Sequence, residues 1–563
     1  MNRYLHFITP LLFGLAFTLH GLPLLIWPFD GLYGQDAFAY YDYAIASLRE
    51  NLAAGRPPPP FFWPPGYPLL IVLVNLLTGA GPLAGQLVSL AAGALVVVLT
   101  AWLAHDLFVE QSAGLPPVAQ SAGLPPVAQS AGLPPVAQST GLPMASWKLA
   151  LPAGLLVALN GQLWQSSVVV MADTAALAAA TLGVWTLIRY GRSPTRGAWL
   201  LLAAGAMAAA VLTRWAYALV AIPCTLYALW LLVRRGGRVP LWHGAGAALV
   251  ALLILSPLWG PAVAGLLNAQ VVNPPFTGDL QVYSWHPLNA LRREFVTADG
   301  YLRYAWPNGL YYALAPAHRY YFTALLAPFI GVGLWAVLQT TNDEGRKTKT
   351  VILRPPSSVF LILAWAGVIY LFHAGAPWQN FRFTLAYLPP LAILAAVGWQ
   401  WLYHWLPGRL RWLAVLYLAA GLLYMGGNGL QLTRSFIERK EADLATVQWV
   451  EGQTPAGARL LTFGLTLTFQ HYSHLETIEL FYQDPASLEN VLVDGRPTYL
   501  LLDVANVESQ WPNQSPGLNY HWLQENAGLA WIGQDRTYAL FQVLINNRGN
   551  YTLCLHFLHS PLA

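Results

Sequence analysis

Eleven apolar runs, each near the roughly 20 residues that span a bilayer's hydrocarbon core, recur at 8–28, 83–106, 147–166, 174–190, 198–213, 216–233, 243–263, 321–340, 357–374, 383–405 and 412–428. Backbone polar groups inside hydrocarbon must be paired within the segment that carries them, and a helix does this. The expected fold class is therefore an α-helical polytopic membrane protein with about 11 transmembrane helices. Composition agrees, with 56% hydrophobic and 10% charged residues, against roughly 45–50% apolar in a soluble domain. The opening MNRYLHFITPLLFGLAFTLHGLPLLIWP has little basic n-region and no small-residue cleavage site, so it reads as an uncleaved first span. A net charge of +4 implies no nucleic-acid partner, and Cys224 and Cys554 sit too far apart in character and position to suggest a disulfide framework or a zinc knuckle.

Orientation follows from the basic residues. Arg189, Arg192 and Arg196 lie in one connection, Arg234, Arg235 and Arg238 in another, then Arg346, Lys347, Lys349 and Arg354, then Arg409 and Arg411. All fall on one side if the N-terminus is cytoplasmic. The outward side then receives the segment 29–82, the start of the span at Asp173, the loop 264–320, the turn APWQNFRF and everything after about residue 430. The expected division is a membrane domain over 1–430 and an extracytoplasmic α/β domain over 431–563. In the latter, ARLLTFG, TIELFY, TYLLLDV and YALFQV read as short strands after a helical KEADLATVQWVEGQ. Within 111–146 a nonapeptide, QSAGLPPVA, repeats from Gln111, Gln120 and Gln129, with a degenerate copy from Gln138. Uncharged and proline-paired, it reads as a cytoplasmic spacer.

The stretch GQDAFAYYDYA, Gly34 to Ala44, places a carboxylate and three tyrosines beside the first span. On a helical wheel Phe38, Tyr41, Ile45, Leu48 and Leu52 form an apolar stripe, and Asp36, Tyr40, Tyr43 and Ser47 the opposite face. This predicts an interfacial helix with its polar face turned outward. The prolines of RPPPPFFWPPGYPLLIVLVNLLTG end it, and the short apolar run that follows reads as a hairpin or surface helix. Asp173 in MADTAALAAA has two readings, a helix N-cap or a site residue. Arginine suits a phosphate because its planar fork bonds two oxygens, and the outward candidates include Arg214, Arg292, Arg293, Arg319 and Arg382. Anchoring at lipid headgroups is the other reading of each.

The order of these features resembles the GT-C superfamily of polyprenyl-phosphate-sugar-dependent glycosyltransferases, in its protein O-mannosyltransferase and lipid A aminoarabinose transferase branch. The resemblance is carried by the outward acidic segment, FWPPGYPLL, the second acidic residue in SSVVVMADTAALAAATLGVWTLIRY, LTRWAYALV, NFRFTLAYLPPLAILAAVGW and the outward C-terminal domain. Two departures stand out: Asp36-Ala37 where the family often has Asp-Glu, and Trp63 where it often has a lysine. The resemblance implies transfer of a sugar from a polyprenyl-phosphate donor to an extracytoplasmic protein, lipid or glycan, with inversion, at a prokaryotic plasma membrane. It implies Asp36 as base and Asp173 as second acidic residue. Arg292 or Arg293, then Arg382, would hold the donor phosphate, with Tyr40, Tyr43, Arg214, His318 and Arg319 lining the substrate site. No cofactor is firmly implied; a divalent metal is compatible but nothing in the sequence indicates one. Two other functions fit the same architecture, transfer of a preassembled lipid-linked glycan and transport of a lipid-linked sugar. Transport sites usually place ionisable groups near the midplane of several spans, whereas here the charges sit mostly at span ends.

Overall fold

The computed structural model describes residues 3–79, 81–109, 147–193, 195–235, 238–260, 284–342 and 357–545. The nonapeptide repeats, the basic cluster at 346–354, the first part of the expected 264–320 loop and Cys554 lie outside the described residues. The chain forms two compact units, residues 1–293 with 305–437, and residues 294–304 with 438–563.

The first unit is helical. Six helices are long and apolar enough to cross a membrane, or seven if one bent pair counts as a span. The expected count of about 11 is thus reduced, because several apolar runs form helices of only 10–17 residues: Gly66–Thr78, Lys148–Ala158, Ala198–Thr213, Pro240–Ile254 and Thr323–Gln339. These lengths fall short of the roughly 20 residues a perpendicular crossing needs. The run 147–166 is interrupted, giving Trp147–Ala158 and Gly161–Val168. Asn160 caps the second piece, its side chain accepting from Leu163 N at 3.0 Å. Gly161–Val168 and Ala172–Arg192 form the bent pair, 117° apart across Val169–Met171.

That bend is tied down by its neighbours. Val170 N–H donates to Gly31 O at 3.0 Å, and Gln86 Nε2 donates to both Phe29 O and Val168 O. Ser89 Oγ donates to Met171 O at 3.2 Å and shares a 2.8 Å bond with the Tyr67 hydroxyl. Three segments remote in sequence are so laced around the three residues that precede Asp173, each buried backbone group finding the partner it requires.

The helix after the first span is Gln35–Asp42, continued by a π-helical turn over Tyr43–Leu48. One π turn advances the helical phase, and the wheel drawn at 3.6 residues per turn fails here. Tyr40 and Tyr43, expected on an outward face, are buried, while Leu52 of the expected stripe is 41% exposed. Tyr43 stacks on Phe61, with centroids 3.9 Å apart and planes at 8°, and its hydroxyl donates to Pro59 O at 2.8 Å. Tyr40 stacks on Trp63 at 4.9 Å and meets Tyr67 edge-on. The proline-rich segment therefore covers the tyrosines of this helix.

The second unit carries two sheets. β1 (Glu294–Thr297) and β2 (Gly300–Arg303) form an antiparallel hairpin. β3 (Arg459–Thr462), β4 (Glu476–Glu479), β5 (Thr498–Leu502), β6 (Ala527–Asp535) and β7 (Tyr538–Ile545) form a sheet of order β4-β3-β5-β7-β6. β3 pairs in parallel with β4 and β5, and β7 runs antiparallel to β5 and β6. Alternate residues face opposite ways, so Leu461, Leu500 and Leu502 enter one apolar core while Leu460, Tyr499 and Leu501 enter another. The hairpin belongs to this unit through Gln510 Nε2, which donates to Asp299 O at 2.8 Å, and Gln514 Nε2, which donates to Thr297 O at 2.9 Å.

Candidate active site

Four charged side chains from four separate segments of the first unit meet. Asp36 stands in the first turn of Gln35–Asp42. Asp173 stands in the first turn of Ala172–Arg192, immediately after the bend. Arg214 ends Ala198–Thr213 in an extended conformation, its N–H still donating to Ala210 O at 2.8 Å. Arg382 is the second residue of the 3₁₀ turn Phe381–Tyr387, which begins where the Asn380 side chain accepts from Arg382 N at 2.9 Å.

Arg382 Nη2 lies 2.7 Å from Asp36 Oδ2, and its Nε is 3.5 Å from Asp173 Oδ2. Arg214 Nη1 donates to Asp173 Oδ1. Arg382 Nη1 also reaches the Met171 sulfur at 3.2 Å. Two carboxylates thus balance two guanidinium groups. Their exposures differ usefully: the Asp173 side chain is 7% exposed and the Asp36 side chain 26%. Asp36 is the carboxylate that solvent or a substrate can approach.

The cap reading of Asp173 does not hold, because Met171 is the N-cap, no side chain caps that helix, and the Asp173 carboxylate goes to Arg214 and Arg382. Its place near the positive end of the helix suits its charge in any case. Tyr40, buried beside the four, has its phenol ionisation pushed well above the ordinary range by burial first. The surrounding Arg214, Asp36, Asp173 and Arg382 then act in opposing directions. It remains a neutral O–H donor. Burial pushes Tyr43 up to about 12.

The other sequence candidates sit elsewhere. Arg292 and Arg293 are exposed just after the 3₁₀ turn Pro287–Leu291, and no ion pair joins either to Asp36 or Asp173 among those described. His318 stacks on Phe381 at 4.1 Å, which brings it next to Arg382 in sequence, and burial followed by the neighbouring Arg319 charge hold its imidazole below the ordinary value. Arg319 is exposed and lies over the Tyr320 ring at 5.2 Å. Among the described residues no group of three or more His, Cys, Asp or Glu side chains gathers as metal ligands do. Met171, Tyr67 and Ser89 were not picked out from sequence. The sole local signal was that Met171 precedes the acidic residue.

Such a site, at the ends of apolar helices and built of an approachable carboxylate with paired arginines, is suited to a substrate that carries a phosphate and loses a proton. The fold around it is that of the GT-C glycosyltransferases, in a multi-pass membrane protein. The crystal structure of ArnT from Cupriavidus metallidurans in the apo state matches with a TM-score of 0.56 and 15% identity, over 94% of this chain and 97% of that one. The same protein bound to undecaprenyl phosphate matches with a TM-score of 0.55 and 14% identity, over 96% and 97%. The archaeal oligosaccharyltransferase AglB from Archaeoglobus fulgidus, in complex with an inhibitory peptide and a dolichol-phosphate, matches with a TM-score of 0.50 and 11% identity, over 98% of this chain and 75% of that one. No protein-family profile matches the sequence, and no curated protein does.

Proposed function

We propose that this protein is an inverting glycosyltransferase that moves a sugar from a polyprenyl-phosphate donor to an acceptor on the extracytoplasmic face. The observation that carries the reading is the meeting of Asp36, Asp173, Arg214 and Arg382. Hydrolysis of a bond between two sugars usually calls for two carboxyl groups, because the departing alkoxide needs a proton. A polyprenyl phosphate departs without one. What the reaction then requires is a base for the acceptor's hydroxyl and cations for the developing phosphate charge. Asp36, the more exposed carboxylate, is the base. Asp173, buried and bonded to Arg214, positions the arginines. Arg382 and Arg214 hold the phosphate in preference to Arg292 and Arg293, since they stand at the carboxylates. Tyr40 supplies a neutral hydroxyl at their edge.

Undecaprenyl phosphate on ArnT and dolichol-phosphate on AglB support a polyprenyl carrier for this chain. Transfer of a preassembled glycan is the second reading, favoured by the likeness to an oligosaccharyltransferase. One experiment separates the two. Purified protein is incubated with a panel of polyprenyl-phosphate monosaccharides and with polyprenyl-linked oligosaccharides, and release of the lipid phosphate is followed. Release from a monosaccharide donor that depends on Asp36 is expected. Release from oligosaccharide donors alone favours the second reading, and release from neither defeats both.

A further inference from the structure

Arg382 serves two anions at once, and neither fully. Its Nη2 bonds Asp36, its Nε stands 3.5 Å from Asp173 Oδ2, and its Nη1 has the Met171 thioether at 3.2 Å. A thioether is a weak acceptor. Both the Nε and Asp173 Oδ2 are buried and complete no hydrogen bond. A guanidinium fork able to make two parallel bonds to a phosphate is therefore using one arm strongly and resting the other on sulfur. The bond it does make is the open one in the cluster. The Arg382 and Asp36 side chains are 21% and 26% exposed, and a pair so accessible is worth about 1 kcal/mol or less. Asp173 stays occupied by Arg214 whatever Arg382 does.

Resting on the glycosyl-transfer reading, we infer that Arg382 is a shared positioning residue: it neutralises Asp36 in the free protein and passes to the donor phosphate when the donor binds. The exchange frees the Asp36 carboxylate at the moment a base is needed. The acceptor's hydroxyl then gives its proton to Asp36 while its oxygen forms the bond to the anomeric carbon. The bond from that carbon to the phosphate oxygen breaks, its electron pair leaving with the phosphate, and Arg382 holds the added charge. Without a donor the base stays paired, so water and acceptor meet a neutralised carboxylate. Donor binding and activation of the base become one event, and the reaction acquires an order, donor first.

Exchange makes a prediction that proximity alone does not: Asp36 competes with the phosphate for Arg382. The dissociation constant of undecaprenyl phosphate is measured for the full chain in lipid nanodiscs, as wild type, Asp36→Asn, Arg382→Gln and the double variant. Asp36→Asn should bind roughly three- to tenfold more tightly, the scale of losing one competing, partly exposed ion pair. Arg382→Gln should bind at least about tenfold more weakly. In the double variant the gain from Asp36→Asn should vanish. Unchanged or weaker binding by Asp36→Asn overturns the exchange. An equal gain in both backgrounds also overturns it, since Asp36 would then act by its charge alone and not through Arg382. Phosphatidylglycerol offered in place of undecaprenyl phosphate should give no such pattern, and an equal response to it would defeat the assignment to a polyprenyl phosphate. If no variant binds undecaprenyl phosphate, the transferase reading itself fails. Binding without the gain in Asp36→Asn removes only the exchange.

Discussion

Asp36 and Arg382 meet with Oδ2 and Nη2 2.7 Å apart, the carboxylate supplied by the segment after the first span and the guanidinium by a 3₁₀ turn late in the membrane unit. The pair fixes which of several outward arginines belongs with the base. If Asp36 takes the acceptor's proton, Asp36→Asn keeps the side chain's size and removes its basicity. Turnover should fall by roughly 10²–10⁴ with saturating donor, while donor binding survives. Asp42→Asn, at the other end of the same helix, is the internal comparison and should lose much less. Full turnover in Asp36→Asn would move the base elsewhere, with Asp173 next.

The arginines separate in the same assay. Arg382→Gln removes a charge-assisted partner of the phosphate and should raise the donor KM by about tenfold or more. Arg292→Gln combined with Arg293→Gln changes exposed groups beyond the turn Pro287–Leu291 and should raise it by less than about threefold, the scale of a surface charge. The reverse ranking would return the phosphate site to the 284–320 segment.

What the sequence revealed of this site, and what it withheld, follow from physics. Asp36, Asp173, Arg214 and Arg382 all stand at the ends of apolar runs, where a charge in a chain with 10% charged residues attracts notice. Which arginine meets which carboxylate depends on packing between segments hundreds of positions apart, and no local pattern encodes that. The orientation of Tyr40 and Tyr43 was misread because a π turn at Tyr43–Leu48 breaks the 3.6-residue phase on which a wheel relies. The membrane count came out high because hydropathy sees apolar runs and not the bend at Val169–Met171 or the short helices such as Gly66–Thr78. In the second unit four strands were readable from β-branched and aromatic runs, while β6, AGLAWIGQD, with its two glycines, was not. The hairpin β1–β2 did carry a signal, the Asp-Gly of VTADGYL, masked by the aromatic residues around it.

Glu479 offers a pH test of the second unit. It ends β4 half-buried, and burial raises its carboxyl above the ordinary range against the opposing hydrogen bonds from Thr466 and Phe481. An acid with a raised folded value binds its proton more tightly when folded. Its contribution is therefore greatest below the unfolded carboxylate value, about 4.3, and is lost as pH rises from there through the folded value. Glu479→Gln, neutral throughout, should increase hydrogen-exchange protection of β3 and β4 amides at about pH 7 and make no difference at about pH 4. Lower protection in the variant at the higher pH would mean that the hydrogen bonds outweigh burial.

Gly66 tests whether backbone packing sets the site. It begins the helix Gly66–Thr78, in PPGYP, and a Cβ there would come within 2.6 Å of Leu212 O and 2.8 Å of Thr213 N. Both atoms are backbone and lie directly before Arg214, the partner of Asp173. A rotamer change cannot relieve such a clash, so the two segments must part. Gly66→Ala should cost about 1–3 kcal/mol of stability, as overpacking does. It should also raise the donor KM, because Arg214 is carried by the displaced backbone. Gly367, in the helix Ser357–Gly375, has open space where its Cβ would stand. Gly367→Ala there should be neutral or slightly stabilising, since alanine favours a helix over glycine by up to about 1 kcal/mol. Thermal unfolding and donor titration of both variants distinguish the cases. Wild-type stability with wild-type KM in Gly66→Ala would mean that Arg214 is not held through this contact, leaving its placement to the Asp173 ion pair alone.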